Sequence, residues 1–206
     1  SYLRTMYLNG MAEKEYLDVL TLNLVTTGLK IYEKRNNFLN KINTIINQKY
    51  YQITKIDSLK LEYVSEYKNL DKEKLLKKYN NNLSKDLAFG KTTLGIHHDD
   101  YKFIFKKVNI KDYGSEGQQK NAVIAYKLSL IDLFLTDKKR IPILLLDDLF
   151  SELDIKKINN IVNLLKRRVQ IFITTTELEN LNKKLINNSK IFKIKNGRVE
   201  VLQDES

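Results

Sequence analysis

Two adjacent carboxylates end the apolar run Ile143-Leu144-Leu145-Leu146-Asp147-Asp148, where an open α/β sheet presents ligands beyond the carboxyl ends of its strands. In a nucleotide-binding fold, one carboxylate at that place holds Mg2+ through its hydration shell, and a second orients or deprotonates an attacking water. Read locally, the same pair is an acidic turn capping the next element, and the hexapeptide supports both readings. Upstream lies Ser115-Glu116-Gly117-Gln118-Gln119-Lys120. Ser115 followed three residues later by Gln118 is a capping box, while a hydroxyl, a glycine open to close approach and the positive end of a helix together make a phosphate clamp. One geometry serves both purposes. Downstream, Ser151-Glu152-Leu153-Asp154 places Asp154 to cap a helix starting at Ile155, and Gln170-Ile171-Phe172-Ile173-Thr174-Thr175-Thr176 is a second apolar run ending in hydroxyls.

Two other stretches imitate sites. His97-His98-Asp99-Asp100 has the residue types of a metal centre, but neighbours in an extended segment point to opposite faces and do not converge on one ion. Phe89-Gly90-Lys91-Thr92-Thr93 echoes a P-loop. That loop requires G-x-x-x-x-G-K-[ST]; position 85 is Lys and the preceding segment reads as helix, so the amide cradle is missing.

The elements that must position these groups are legible from periodicity. From Glu13 to Tyr51 there is no Pro and a single Gly, and Leu17, Leu24, Ile31, Phe38 and Ile45 recur every seven residues, as one seam of a long helix would. The partner seam fails after Leu20, because Thr27, Lys34 and Lys41 occupy its positions. A helix packed in a small bundle is therefore favoured over an extended coiled coil. Ser58–Tyr67 alternates as a strand with Leu59, Leu61 and Tyr63 on one side, and a Lys/Glu-rich helix follows from Asp71 to about Leu87. Beyond Phe89 the texture becomes α/β: strands at Tyr101–Phe105, Pro142–Leu146 and Gln170–Thr174, expected to be buried and parallel, alternate with helices at about Gln118–Leu135 and Ile155–Leu165. A hairpin around Asn196-Gly197 joins Lys190–Ile194 to Arg198–Leu202.

Composition narrows the chemistry. Zero Cys and two His among 206 residues remove disulfides, thiolate nucleophiles and Cys- or His-rich metal sites. Carboxylate, amide, hydroxyl and phosphate chemistry remain. No run approaches the roughly 18 apolar residues of a membrane span and no leader pattern opens the chain, so no membrane role and a cytoplasmic location are expected. The net charge of +11 points to a polyanion, but 30 of the 36 basic residues are Lys, beside 21 Asn and 21 Ile. That is the drift of an AT-rich genome, and it weakens the inference from charge to nucleic acid. The excess is spread: 15 basic against 10 acidic residues up to residue 90, and 21 against 15 beyond it.

In this order, Ser115–Gln119, Ile143–Asp148, Ser151–Asp154 and Thr174–Thr176 resemble the signature motif, Walker B, D-loop and switch of an ABC-type ATPase head. The details resemble the RecF family of recombination mediators, whose signature looks like S-x-G-Q-Q-[RK], whose Walker B ends in two Asp, and in which S-E-L-D and I-T-T-T follow. Gly95-Ile96-His97-His98-Asp99-Asp100 resembles that family's G-P-H-R-D-D, departing at Ile96 and His98. Leu17-Asp18-Val19, Gly28-Leu29-Lys30-Ile31 and Glu33-Lys34-Arg35 resemble its arm helix. The resemblance implies an α/β fold, the C-terminal lobe of an ABC/SMC-like ATPase head preceded by a helical arm segment, divided as residues 1–90 (arm, with one strand) and 91–206 (head lobe). It implies ATP contacts from Ser115, Gly117, Gln118, Asp154 and Thr175, with Asp147 holding Mg2+ through water and Asp148 as the catalytic group that positions the hydrolytic water. It further implies DNA repair, replication and recombination as the setting, with DNA junctions, a RecR-like mediator and a second copy of the complete protein as partners. No Walker A loop occurs in the 206 residues, so the chain is expected to be a fragment, inactive alone, with ATPase activity once a Walker A half completes it. Another SMC- or Rad50-like head is the alternative within the class, and a non-catalytic DNA-binding remnant the alternative outside it.

Overall fold

The computed structural model describes residues 4, 6, 10, 14–136, 141–147, 160, 161, 163, 165, 169–176, 178 and 183–203. They fall into two compact units, one of residues 1–50 and 56–129 and one of residues 51–55 and 130–206.

In the first unit, α1 (Lys14–Asn43) is one uninterrupted 30-residue helix. Its buried positions are Leu17, Thr21, Val25, Gly28, Leu39 and Ile42, separated by steps of three or four residues and, between Gly28 and Leu39, by three full turns. The seven-residue seam is not the buried face: Leu17 is buried, Leu24, Ile31 and Ile45 are half-buried, and Phe38 is exposed. A straight helix of 3.6 residues per turn drifts about 20° per heptad, so a seam of sevens leaves the core unless supercoiling corrects it. Val25 packs with Tyr67, Leu75 and Tyr79 in a buried cluster. Gly28 lets that cluster close, since a Cβ there would stand 2.4 Å from the Tyr67 hydroxyl. A turn at Thr44 and Ile45 separates α1 from α2 (Ile46–Thr54).

The strand β1 (Leu59–Val64) buries Leu59, Leu61 and Tyr63, as the alternation requires. It pairs antiparallel with β2 (Asp100–Phe105), Leu61 facing Phe103 and Tyr63 facing Tyr101, and β2 pairs antiparallel with the short β3 (Val108–Asn109). The expectation of a parallel Tyr101–Phe105 is thereby corrected. Tyr101, Phe103 and Phe105 face Tyr63, Leu61 and Leu59 in register, and burial is confined to the end of the strand, at Ile104 and Phe105, with Tyr101 exposed. The β1 edge is closed by two asparagines. Asn43 Nδ2 donates to the Leu61 carbonyl and its Oδ1 accepts from the Leu61 amide, both at 2.8 Å, while Asn47 Oδ1 accepts from the amides of Ser58 and Leu59. Side chains thus take bonds that an added strand would seek.

The Lys/Glu-rich segment forms α3 (Lys72–Asn81), capped by Asp71 through the Lys74 amide at 2.8 Å, and α4 (Leu83–Phe89), with Asn82 between them. A 3-10 turn at Ile96–His98 leads into β2. After β3, α5 (Ile110–Tyr113) precedes α6 (Glu116–Thr136), and the division between the units falls inside α6, at Ser129 and Leu130.

In the second unit β4 (Ile143–Leu146) and β5 (Gln170–Ile173) are parallel neighbours with Leu144 beside Ile171 and Leu146 beside Ile173. The parallel pairing expected for these strands is present; full burial is not. Leu144, Leu146, Ile171 and Ile173 are half-buried, whereas Ile143, Leu145 and Phe172 are 61%, 73% and 50% exposed. Most of the expected helix at 155–165 lies outside the described residues; of those described, Ile161 and Leu165 are helical and buried. After α7 (Lys183–Ile186), β6 (Ile191–Lys195) and β7 (Arg198–Gln203) form the expected hairpin with Asn196-Gly197 as its two-residue turn.

Candidate functional site

Gly114 ends α5 in a spot where a Cβ would lie 2.6 Å from the Ile110 carbonyl oxygen, so only glycine lets the chain turn directly into α6. Ser115 then closes a complete capping box: the Gln118 amide donates to Ser115 Oγ at 3.3 Å, and the Ser115 amide donates to Gln118 Oε1 at 2.9 Å. The Ser115 hydroxyl accepts in this arrangement, and its proton remains available to a ligand. The amides of Glu116 and Gly117 belong to the first helical turn, which has no intrahelical acceptors. Gly117 is exposed, and among the described residues nothing lies within 4 Å of the place a Cβ would take, so its missing side chain serves no internal packing. Glu116 pairs with Lys120 at 2.8 Å. That hydrogen bond and charge hold the Glu116 carboxyl below the usual range.

At the carboxyl end of β4, the Thr174 amide donates to the Leu146 carbonyl at 3.0 Å, extending the parallel ladder by one bond, and the Thr174 hydroxyl donates to Asp147 Oδ1. The carboxylate is exposed and fixed from one side, with its charge toward solvent. A carboxylate oriented in this way fits outer-sphere binding of a hydrated Mg2+. The hydroxyl on Asp147 is that of Thr174; Thr175 is half-buried beside it. Asp148 and the Ser151–Asp154 segment, including Asp154, lie outside the described residues. Ser115, Gly117 and Gln118 stand in the first unit and Asp147 and Thr175 in the second.

The glycine-to-aspartate loop joins the helix motif that the resemblance paired with it. Arg35 of α1 donates through Nη1 to the Ile96 carbonyl at 3.0 Å and lies 3.5 Å from Asp99 Oδ2. The Tyr63 hydroxyl donates to the same Asp99 oxygen. Tyr63 stacks between Tyr32 and Tyr101, with ring centroids 5.5 and 5.2 Å apart, and burial with the Asp99 contact pushes its hydroxyl up to about 12. Gly95 has φ 141° and a Cβ there would stand 2.8 Å from the His97 ring, which ties that position to glycine. Burial, with His98 alongside, lowers the His97 pKa. Asp99 therefore serves the Arg35–Tyr63 contact, and among the described residues no group of three metal-ligating side chains converges.

The P-loop look-alike is a helix end. Gly90 caps α4 in the left-handed region with φ 59°, and the next residues enter a buried polar network: the Thr93 amide and hydroxyl donate to Asp86 Oδ1 at 2.8 and 2.6 Å, and Thr92 accepts from Arg4. Arg4 pairs with Asp86 and also donates to Thr21 at 3.2 Å. Nothing in local pattern marks a charge pair 82 residues apart as buried.

A capped helix start opened by a glycine and an aspartate at the end of a parallel strand are each features of ABC-type ATPase heads. The relatives are RecF proteins. The chain is 34% identical over 206 residues to the DNA replication and repair protein RecF of Ligilactobacillus salivarius, matching 96% of this chain and 54% of that protein. To the protein of the same name from Enterococcus faecalis it is 35% identical, over 96% of this chain and 56% of that one. Among solved structures, the recombination mediator protein RecF with ATP superposes with a TM-score of 0.82 at 25% identity, covering 98% of this chain and 55% of the other. RecF with the ATP analogue ATPrS gives 0.81 at 24%. No family model matches the chain. The resemblance to RecF is thus borne out in sequence and in fold, and the chain spans about half the length of the curated relatives it matches.

Proposed function

We propose that this chain supplies the signature and Walker B surfaces of a RecF-like, ATP-controlled DNA-repair protein. The observation that carries the reading is the start of α6, where Ser115 completes a capping box while Gly117 stays open outward. Ser115 Oγ–H and the Gly117 amide would donate to the γ-phosphate of a nucleotide held by a second protomer, with Gln118 holding the serine in place. Asp147, oriented by Thr174, would hold hydrated Mg2+, whose charge offsets that developing on the phosphate oxygens. Asp148 would position the hydrolytic water, with Asp154 and Thr175 completing the nucleotide contacts from D-loop and switch. Asp is shorter than Glu, so hydrolysis is expected to be slow, as suits nucleotide control of a dimer. DNA and a RecR-like mediator are the partners of this reading, in keeping with the RecFOR pathway named for the solved relatives, and the bacterial cytoplasm is its place. Residues 1–90 would act as the arm and 91–206 as the head lobe.

The test is turnover in a chimera joining this chain to the remaining part of the Ligilactobacillus salivarius RecF. ATP hydrolysis above background, abolished by Asp148→Asn, supports the reading; turnover unchanged by Asp148→Asn refutes the catalytic assignment.

A further inference from the structure

The turn between β2 and β3 is built from the wrong residues for its shape. Phe105 pairs with Val108, leaving Lys106 and Lys107 as a two-residue loop, and both sit in the left-handed region with φ 46° and 74°. Consecutive positive φ values are the pattern of a type I′ turn, which strongly prefers Asn-Gly because side chains with a Cβ resist that conformation. A second two-residue hairpin turn among the described residues, Asn196-Gly197, has φ 51° and 73° and follows that preference. The same backbone shape is thus made once with the favoured pair and once with two lysines. A Lys-rich composition explains lysine at permissive surface positions; it does not explain lysine at two adjacent strained ones. Strain kept at an exposed site directs attention to function.

Both lysines are exposed, and the Lys106 ammonium stands 5.5 Å from the centroid of the Phe105 ring. Exposed Lys60 is nearby on β1, opposite Ile104, and the Lys106 amide donates to the Ser58 carbonyl on that strand. The neighbouring acids are partly engaged: Glu62 faces Lys102 across the ladder, Asp112 accepts from Asn109, and Asp57 accepts from Ser58.

We infer that the Lys106-Lys107 turn, with Lys60, is a contact for the phosphate backbone of duplex DNA. The inference rests on the DNA-binding reading above and assigns it a surface. Lysines act there as point charges, so the contact releases counterions without reading sequence.

The experiment compares the chain with its Lys106→Asn/Lys107→Gly variant on a short random-sequence duplex across a salt series. The variant restores the favoured turn, so it is expected to melt higher while binding DNA more weakly, with the slope of log K against log salt reduced by about 1.8 for two lost phosphate contacts. Lys106→Arg/Lys107→Arg keeps charge and turn shape and is expected to retain affinity. Lys72→Gln/Lys77→Gln, which removes two exposed charges from α3, is expected to leave the slope nearly unchanged. An Asn-Gly variant with unchanged slope, or an α3 variant with an equal loss, overturns this surface while leaving DNA binding standing. Absence of duplex binding both by the wild-type chain and by the ATP-loaded chimera overturns the surface and the DNA-binding reading together.

Discussion

At the scale of single residues, Asp86 shows how a charge survives burial. Burial pushes its carboxyl up, but hydrogen bonds from Thr93 and Arg4 outweigh that and hold it below the usual range. A carboxylate with a depressed folded value contributes stability that is present above the unfolded value of about 4 and lost as pH falls through the folded value. The first unit should therefore lose stability in acid below about pH 4, and Asp86→Asn should flatten that limb in a denaturant series taken against pH. The same variant strands a buried Arg4 and should cost about 3 kcal/mol at neutral pH. A cost near zero would show that the pair is not the tie the structure makes it. Residue-scale legibility was uneven for a physical reason. The Ser115–Gln118 box and the Asp71 cap are local in sequence and readable from spacing, whereas the Arg4–Asp86 pair and the Arg35–Asp99–Tyr63 cluster exist only after distant segments meet.

Among the elements, helices and hairpin were legible because period and turn chemistry are local. The 3.6-residue face of α1, the Asn82 break between α3 and α4, and the antiparallel β1–β2 pairing were not, since each is decided by what packs against it. Gly28 is the clearest case: its lack of a side chain is required by Tyr67, 39 positions away. Gly28→Ala should destabilise the first unit by roughly 1–3 kcal/mol through overpacking, read as a shift in the midpoint of urea unfolding. Asn43→Ala with Asn47→Ala should act differently, opening the β1 edge and promoting association, visible as light scattering that grows with concentration.

For the whole molecule, one fact of sequence and one of structure set the behaviour of the chain alone. It contains no phosphate loop, so isothermal calorimetry should detect no low-micromolar binding of ATP; such binding would reveal a nucleotide site of another kind. The β4–β5 sheet also presents Ile143, Leu145 and Phe172 to solvent, and adjacent apolar side chains of this size mark an interaction surface or a liability to associate. Co-expression with the remaining part of a RecF relative should suppress that association if the surface is a docking face.

The central claim, that Ser115 at the start of α6 closes on a nucleotide held by another protomer, is tested most directly in the chimera by ATP-dependent dimerisation, read by light scattering. Were Ser115 a helix cap and nothing else, Ser115→Arg would cost on the order of 1 kcal/mol and leave dimerisation intact. The account predicts instead that Ser115→Arg abolishes ATP-dependent dimerisation while each protomer still binds ATP, because the arginine fills the place of the γ-phosphate. It also predicts that Asp148→Asn accumulates the ATP-bound dimer by removing the group that positions water. A Ser115→Arg protein that dimerises normally with ATP contradicts the account.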